Sequence, residues 1–194
     1  MNCSGDIPKE RHGHSAVSVG TVMYVFGGQG PNTDDEGNVS RDAAELVSFN
    51  DVYRLDSTTM HWSLIETNGN GPTPRHSHST CLHERSESIL LFGGTNPEEG
   101  TSNDVWSLSL KNFTWKRVRC TSKKGSLPEG REMHTACIND ERNIMYILGG
   151  RKEDGTVYQD FWSLDIGSFR LCLLLVLRIH HSRINVILAG FVVL

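Results

Sequence analysis

Short apolar runs that end in paired glycines punctuate this chain: "MYVFGG" closes at Gly27-Gly28, "ILLFGG" at Gly93-Gly94 and "MYILGG" at Gly149-Gly150. Runs this short, bounded by turn-forming residues, predict strands rather than helices. Ahead of each lies a short stretch of mixed apolar and polar residues: "HSAVSV", "HSTCLH" and "HTACIN". Behind each lies "DVYRLD", "DVWSLS" or "DFWSLD", and a fourth segment surrounds Trp62 or Trp115. Each unit is therefore read as four strands, a to d.

The units recur in a fixed order. Each begins with an Arg-x-x-His element: Arg11 to His14, Arg75 to His78, and Arg131 to His134. Seven residues after the strand c leucine stand Trp62 and Trp115, and in the third copy Leu171. The second and third diglycines are 56 residues apart, the first and second 66, and most of the excess lies between Gly28 and Asp51. A period near 50 with four short strands per unit is the signature of a propeller whose blades are four-stranded sheets.

The diglycine after an apolar strand, the Asp-Val-[Tyr/Trp]-x-Leu strand and the spaced tryptophan together resemble the kelch repeat, over roughly residues 7 to 166. The expected fold is all-β, a partial kelch-type propeller of about three four-stranded blades with a non-repeat hydrophobic C-terminal tail. The expected divisions are a lead-in at 1–10, blade 1 at 11–66 with an inserted acidic loop at 29–49, blade 2 at 75–119, an incomplete blade 3 at 131–166 and the tail at 167–194. The glycine pairs let strand b turn close to a neighbouring backbone, where a Cβ would clash. The rings of Tyr53, Trp106, Trp162, Trp62 and Trp115 supply area for stacking one sheet on the next.

Composition narrows the function classes. With 37% apolar and 22% charged residues and a formal net charge of -4, the chain is globular, and nucleic acid is not an expected partner. Five cysteines form no CxxC pair, which fits a reducing compartment: a cytoplasmic location, with the nucleus also open. The N-terminus lacks an apolar signal region, and the sequons at Asn2, Asn38 and Asn112 are read as chance matches. Cys81 and Cys137 occupy the repeat position of Val17, which implies a small buried hydrophobe.

The histidine pairs His12/His14 and His76/His78 have the spacing for one strand face and so for a metal. The third copy keeps only His134, so the shared histidine is read as a hydrogen-bonding element. The repeated arginines Arg11, Arg75 and Arg131 are either structural braces or ligands for an acidic group. The basic run "WKRVRCTSKKG", residues 115 to 125, reads as a solvated outer strand and turn. Copper or iron enzymes exist among kelch-like proteins, but the sequence has no matching ligand run, nor any Gly-x-Ser-x-Gly, Walker-type or H-E-x-x-H motif. No catalytic residue, metal or cofactor is expected.

The inserted loop carries Asp34, Asp35, Glu36, Asp42 and Glu45 against Arg41, a local charge of -4. The resemblance implies that loops joining b to c, and d to the next a, form the usual binding surface. The partner-contact positions it implies are Gln29, Thr95 and Arg151, just after the diglycines, with Ser77 and Met133 leading into strand a. The expected function is a non-catalytic module that binds a protein partner or peptide segment.

About three blades leave two apolar sheet faces uncovered, so the chain reads as a fragment of a larger propeller or as one part of an oligomeric ring. The tail "IGSFRLCLLLVLRIHHSRINVILAGFVVL" leaves the pattern. Its apolar runs fall short of the roughly 20 residues of a membrane helix, leaving a replacement strand d or an unrelated tail.

Overall fold

Alternating side chains along short segments build three antiparallel sheets. The computed structural model of this 194-residue chain describes residues 2–32, 46–122, 125–180 and 183–188, with side chains described as far as residue 174. The first sheet contains β1 (Ser4–Gly5), β2 (Ser15–Val19), β3 (Val22–Pro31), β4 (Leu46–Asp56) and β5 (His61–Ile65), in the order β1-β5-β4-β3-β2. Next come β6 (Ser79–His83), β7 (Ser88–Phe92), a small ribbon of β8 (Thr95–Asn96) and β9 (Gly100–Thr101), β10 (Val105–Ser109) and β11 (Trp115–Val118). The second sheet runs β11-β10-β7-β6. The third contains β12 (Thr121–Ser122), β13 (Thr135–Asn139), β14 (Ile144–Leu148), β15 (Asp160–Asp165), β16 (Arg170–His180) and β17 (Arg183–Leu188), in the order β12-β16-β15-β14-β13 with β17 on β16. Strands a to d are thus four neighbours in each sheet, with a innermost.

The sheets stack face on face. Between the first and second, Phe26 and Val52 pack with Ile89, Leu91, Trp106, Leu108 and Trp115. Between the second and third, Cys81, Leu90, Phe92 and Val105 pack with Met145, Ile147, Trp162, Leu164 and Leu171. The middle sheet buries both faces, which is why β7 reads as the unbroken apolar run "ILLF". Each such large side chain contributes about 1.5–3 kcal/mol when fully buried.

Blade 3 obtains its fourth strand from the segment expected to be a non-repeat tail. Leu171 pairs with Leu164 in the register in which Trp62 faces Leu55 and Trp115 faces Leu108. It is 2% exposed. An apolar residue on the inward face and free backbone groups are what the ladder requires, and leucine meets both conditions without a tryptophan. Among the described residues no helix is long and apolar enough to cross a membrane.

The outer edges show a second repeat that the sequence did not reveal. The segment preceding each blade runs parallel to that blade's outermost strand: Ser4 beside His61, Asn68 beside Thr114, and Thr121 beside Arg170. The lead-in is therefore part of the first sheet.

The diglycines do what their positions require. Gly93 and Gly94 have φ of +65° and +93°. A Cβ on Gly93 would lie 2.8 Å from the Arg131 carbonyl oxygen of the next blade, and one on Gly94 would lie 2.8 Å from the His76 oxygen. Such spacing admits only glycine. The inserted acidic segment begins and ends as strand, since Gln29 pairs with Ser48 and Pro31 with Leu46. Its residues 33–45, which carry most of the acidic charge, lie outside the described residues.

Candidate functional site

The repeated arginines are committed to the blades. Arg11, Arg75 and Arg131 each grip the aspartate that opens strand c of the same blade, Asp51, Asp104 or Asp160, with both terminal nitrogens. Each also donates to the carbonyl of the first glycine in its pair, Gly27, Gly93 or Gly149. Arg131 is fully buried, and its guanidinium lies over the Tyr158 ring, 4.3 Å from the centroid. Burial alone would raise the Asp104 and Asp160 carboxyls, but the arginine hydrogen bonds and charge, with Ser102, Trp106 and Trp162 donors, hold both below the usual carboxylate range. These arginines are braces with no free donor face for an acidic ligand.

The shared histidine joins one blade to the next. His78 Nε2 lies 2.8 Å from Ser15 Oγ, and His134 Nε2 lies 2.8 Å from Ser79 Oγ. Each imidazole also meets a ring of the preceding blade edge-on, Phe26 or Phe92, at 5.0 Å. Burial, with the neighbouring Arg75, pushes His78 down to about 3, and burial with Arg131 pushes His134 down to about 4. Both rings are therefore neutral. Among the described residues no group of three metal-ligating side chains occurs.

The five expected contact residues gather at one end of the stack. The residue after each diglycine exchanges backbone bonds with the residue after each repeat arginine: Gln29 with His12, Thr95 with His76, and Arg151 with Glu132. Their side chains meet as well. Gln29 Nε2 lies 2.9 Å from His12 Nε2, Thr95 Oγ1 donates to Glu132 Oε2 at 3.0 Å, and Arg151 Nε donates to Glu132 Oε1 at 2.9 Å. Ser77 and Met133, both with φ of +55°, link the blades: Ser77 N donates to the Gly13 carbonyl, and Met133 N to the Ser77 carbonyl.

Their accessibility differs. Met133 is 59% exposed, the Arg151 side chain is about half exposed, and Gln29 and Ser77 are partly so. Thr95 is buried and supports Glu132 rather than presenting a surface. Sequence reasoning passed over Glu132, which is buried and faces His76 Nε2 at 3.9 Å, while His76 Nδ1 lies 3.2 Å from Ser48 Oγ of blade 1. Burial lowers the His76 pKa against the opposing pull of Glu132. The signal was present in the repeat itself, where Glu132 stands in the place of His12 and His76. Beside this network a shallow polar recess is lined by Glu99, Gly100, Thr101, Ser102, Asn103 and Gly130.

The thiols divide by face. Cys81 is buried, and burial pushes its pKa up to about 12. Cys137, expected to be buried as well, is exposed, because it lies on the face of the third sheet turned away from the second.

A family model described as the KLHDC2/KLHL20/DRC7 Kelch-repeats domain matches residues 1–170. This chain belongs to the kelch-repeat family. Kelch domain-containing protein 10 of Xenopus tropicalis is 32% identical over 164 residues, covering 83% of this chain and 37% of that protein. Kelch domain-containing protein 3 of Rattus norvegicus is 31% identical over 173 residues, covering 86% of this chain and 41% of its own length. The dynein alpha chain of the Chlamydomonas reinhardtii flagellar outer arm is 31% identical over 169 residues, covering 86% of this chain and 3% of that protein. The kelch chain thus spans about two fifths of the length of the kelch domain-containing relatives. Kelch domains of this kind are in general protein-interaction modules, not enzymes.

Proposed function

We propose that the kelch repeats bind an extended, polar segment of a protein partner on the face formed by His12, Gln29, Ser77, Met133 and Arg151. The observation that carries this reading is the support beneath the face. Backbone pairs at Gln29, Thr95 and Arg151, and the Glu132 network below Arg151, hold exposed side chains on rigid sheets. Pre-organised polar groups around an exposed apolar anchor lose little entropy when a partner binds. Met133 is that anchor. Arg151, unlike the three bracing arginines, turns a donor surface to solvent, so the preferred segment carries a carboxylate beside an apolar residue. The location proposed for this activity is the cytoplasm.

A peptide-display library panned on the immobilised chain tests the reading. Enriched peptides should lose at least tenfold in affinity on Met133→Glu and on Arg151→Glu, and keep it on Lys111→Glu, an exposed site on the opposite part of blade 2. Peptides that bind all three variants equally would refute the assignment of the face.

A further inference from the structure

The junctions between neighbouring blades are not filled alike. Where blade 2 meets blade 3 a cavity of about 310 Å³ opens between them, towards the end of the strands away from the diglycines. Hydroxyl side chains of blade 2 line it: Ser88 on β7, Ser107 and Ser109 on β10, and Thr114 just before β11, with Lys116 of β11 beside them. Strand register explains the row. Ser88 pairs with Ser109, Leu90 with Ser107, and Ser107 with Lys116, so alternate residues of neighbouring strands share the face that Leu90 turns to blade 3. The apolar part of the lining comes from Leu90 and, on blade 3, from Ile166 and Phe169 at the two ends of the turn between β15 and β16.

The same place between blades 1 and 2 is occupied. By register Tyr24 stands where blade 2 has Leu90, Arg54 where it has Ser107, and Val22 where it has Ser88. The Tyr24 ring lies 6.4 Å from that of Phe113, the counterpart of Phe169, and both pack on the core between those blades. Leucine and serine in the places of tyrosine and arginine remove atoms that would close the space.

His83, at the end of β6, adds an independent sign. It is 5% exposed, it lines the cavity, and its Nε2 has no hydrogen-bond partner. Asp140 Oδ1 stands 3.9 Å from that nitrogen, beyond hydrogen-bond distance. Across the ring, Nδ1 lies 2.6 Å from Ser86 Oγ, which in turn lies 2.6 Å from Ser88 Oγ. With Ser88 donating to Ser86 and Ser86 donating to Nδ1, the hydrogen of a neutral ring sits on Nε2 and lacks an acceptor. A buried donor left in this way costs free energy that an entering acceptor recovers. Among the described residues the lining holds one charged side chain, Lys116, and no carboxylate.

We propose that the junction of blades 2 and 3 binds a small organic carboxylate, its apolar body against Leu90, Ile166 and Phe169 and its head among Lys116 and the hydroxyls. The volume matches the lower end of small-molecule sites, roughly 300 Å³. Because both blades line the cavity, the bound molecule is held only while they are stacked, and it stabilises that stacking by mass action.

Saturation-transfer NMR of the chain with phenylpropionate, octanoate and their neutral amides, each at low millimolar concentration, tests this. The acids should bind with a Kd of about a millimolar or tighter, and about fivefold or more tightly than the amides. Leu90→Tyr, which gives blade 2 the residue of blade 1, should abolish binding with an unchanged circular dichroism spectrum. Ser88→Val, likewise a blade 1 residue, and Lys116→Met should each weaken the acids about fivefold, and Lys116→Met should leave the amides as they were. Arg117→Met, on the opposite face of the same strand, should alter neither. Should Leu90→Tyr fail to fold, the Ser88 and Lys116 variants decide the matter. Equal binding of acids and amides, binding that survives Leu90→Tyr in a folded chain, acids unaffected by both Ser88→Val and Lys116→Met, or no transfer to any of the compounds overturns the proposal. Met133→Glu should leave the acids bound, so this reading and that of the peptide-binding face fail separately.

Discussion

The paired use of arginine and histidine explains why these residues recur. Each arginine satisfies a strand c carboxylate, a glycine carbonyl and a carbonyl two residues upstream, as Arg131 does with Asp160, Gly149 and Glu129. Removing one partner of such a buried pair typically costs about 3–5 kcal/mol, because the other charge is left without a counterion. Each buried histidine, by contrast, stays neutral and ties a serine across the blade junction. This has a consequence for pH. The folded pKa values of about 3 for His78 and about 4 for His134 lie below the ordinary 6.5, so the unfolded chain binds protons that the folded chain refuses. Stability is fully present above about pH 6.5 and is lost as the pH falls towards those values, by up to about 1.4 kcal/mol per pH unit for each ring. Thermal melting between pH 7 and 4.5 should show a falling midpoint, and a His134→Gln chain should show a shallower decline. Depressed Asp104 and Asp160 extend the loss at still lower pH.

At the scale of the strand, the glycine pairs are where sequence and geometry agree most closely. Two glycines follow strand b because the first faces the next blade and the second faces the start of strand a. The comparison of Gly93 with Gly149 separates backbone conformation from crowding, since both have positive φ, +65° and +64°, yet only Gly93 faces a neighbour's carbonyl within 3 Å. Gly149→Ala should cost about 1–2 kcal/mol for conformation alone, and Gly93→Ala clearly more, as denaturant midpoints would record. Strand d of blade 3 teaches the opposite lesson. With leucine at position 171 in the place of tryptophan, the linear pattern left this segment open between a replacement strand d and an unrelated tail, and the ladder decided it. The short parallel segments at the outer edges were equally hidden, because two-residue strands such as β1 and β12 have no periodicity to read.

Across the whole molecule, stability is unevenly shared. Blade 2 packs both faces on a neighbouring sheet, with Leu91 and Phe92 fully inaccessible, whereas among the described residues blades 1 and 3 each pack one face in this way. In a stack where each repeat contacts only its neighbours, the interior unit unfolds last. Hydrogen exchange should therefore find the slowest amides in β7 and β10, with β2 and β13 exchanging faster. The exposed Cys137 and the buried Cys81, equivalent in sequence, mark the same asymmetry.

The order of the strands, the three-fold repetition and the need for glycine after strand b were all written in the linear pattern, because alternation and turn chemistry act over a few neighbouring residues. The end of the stack on which Gln29, Ser77, Met133 and Arg151 come together was implied by the resemblance to the kelch repeat rather than by that local pattern. Which of those residues face solvent was decided only in three dimensions. Thr95 lies under the surface, Glu132 anchors Arg151, and the repeated arginines turn inward to their aspartates. Burial and partner choice depend on which sheet lies opposite, and that neighbour is tens of residues away in the chain.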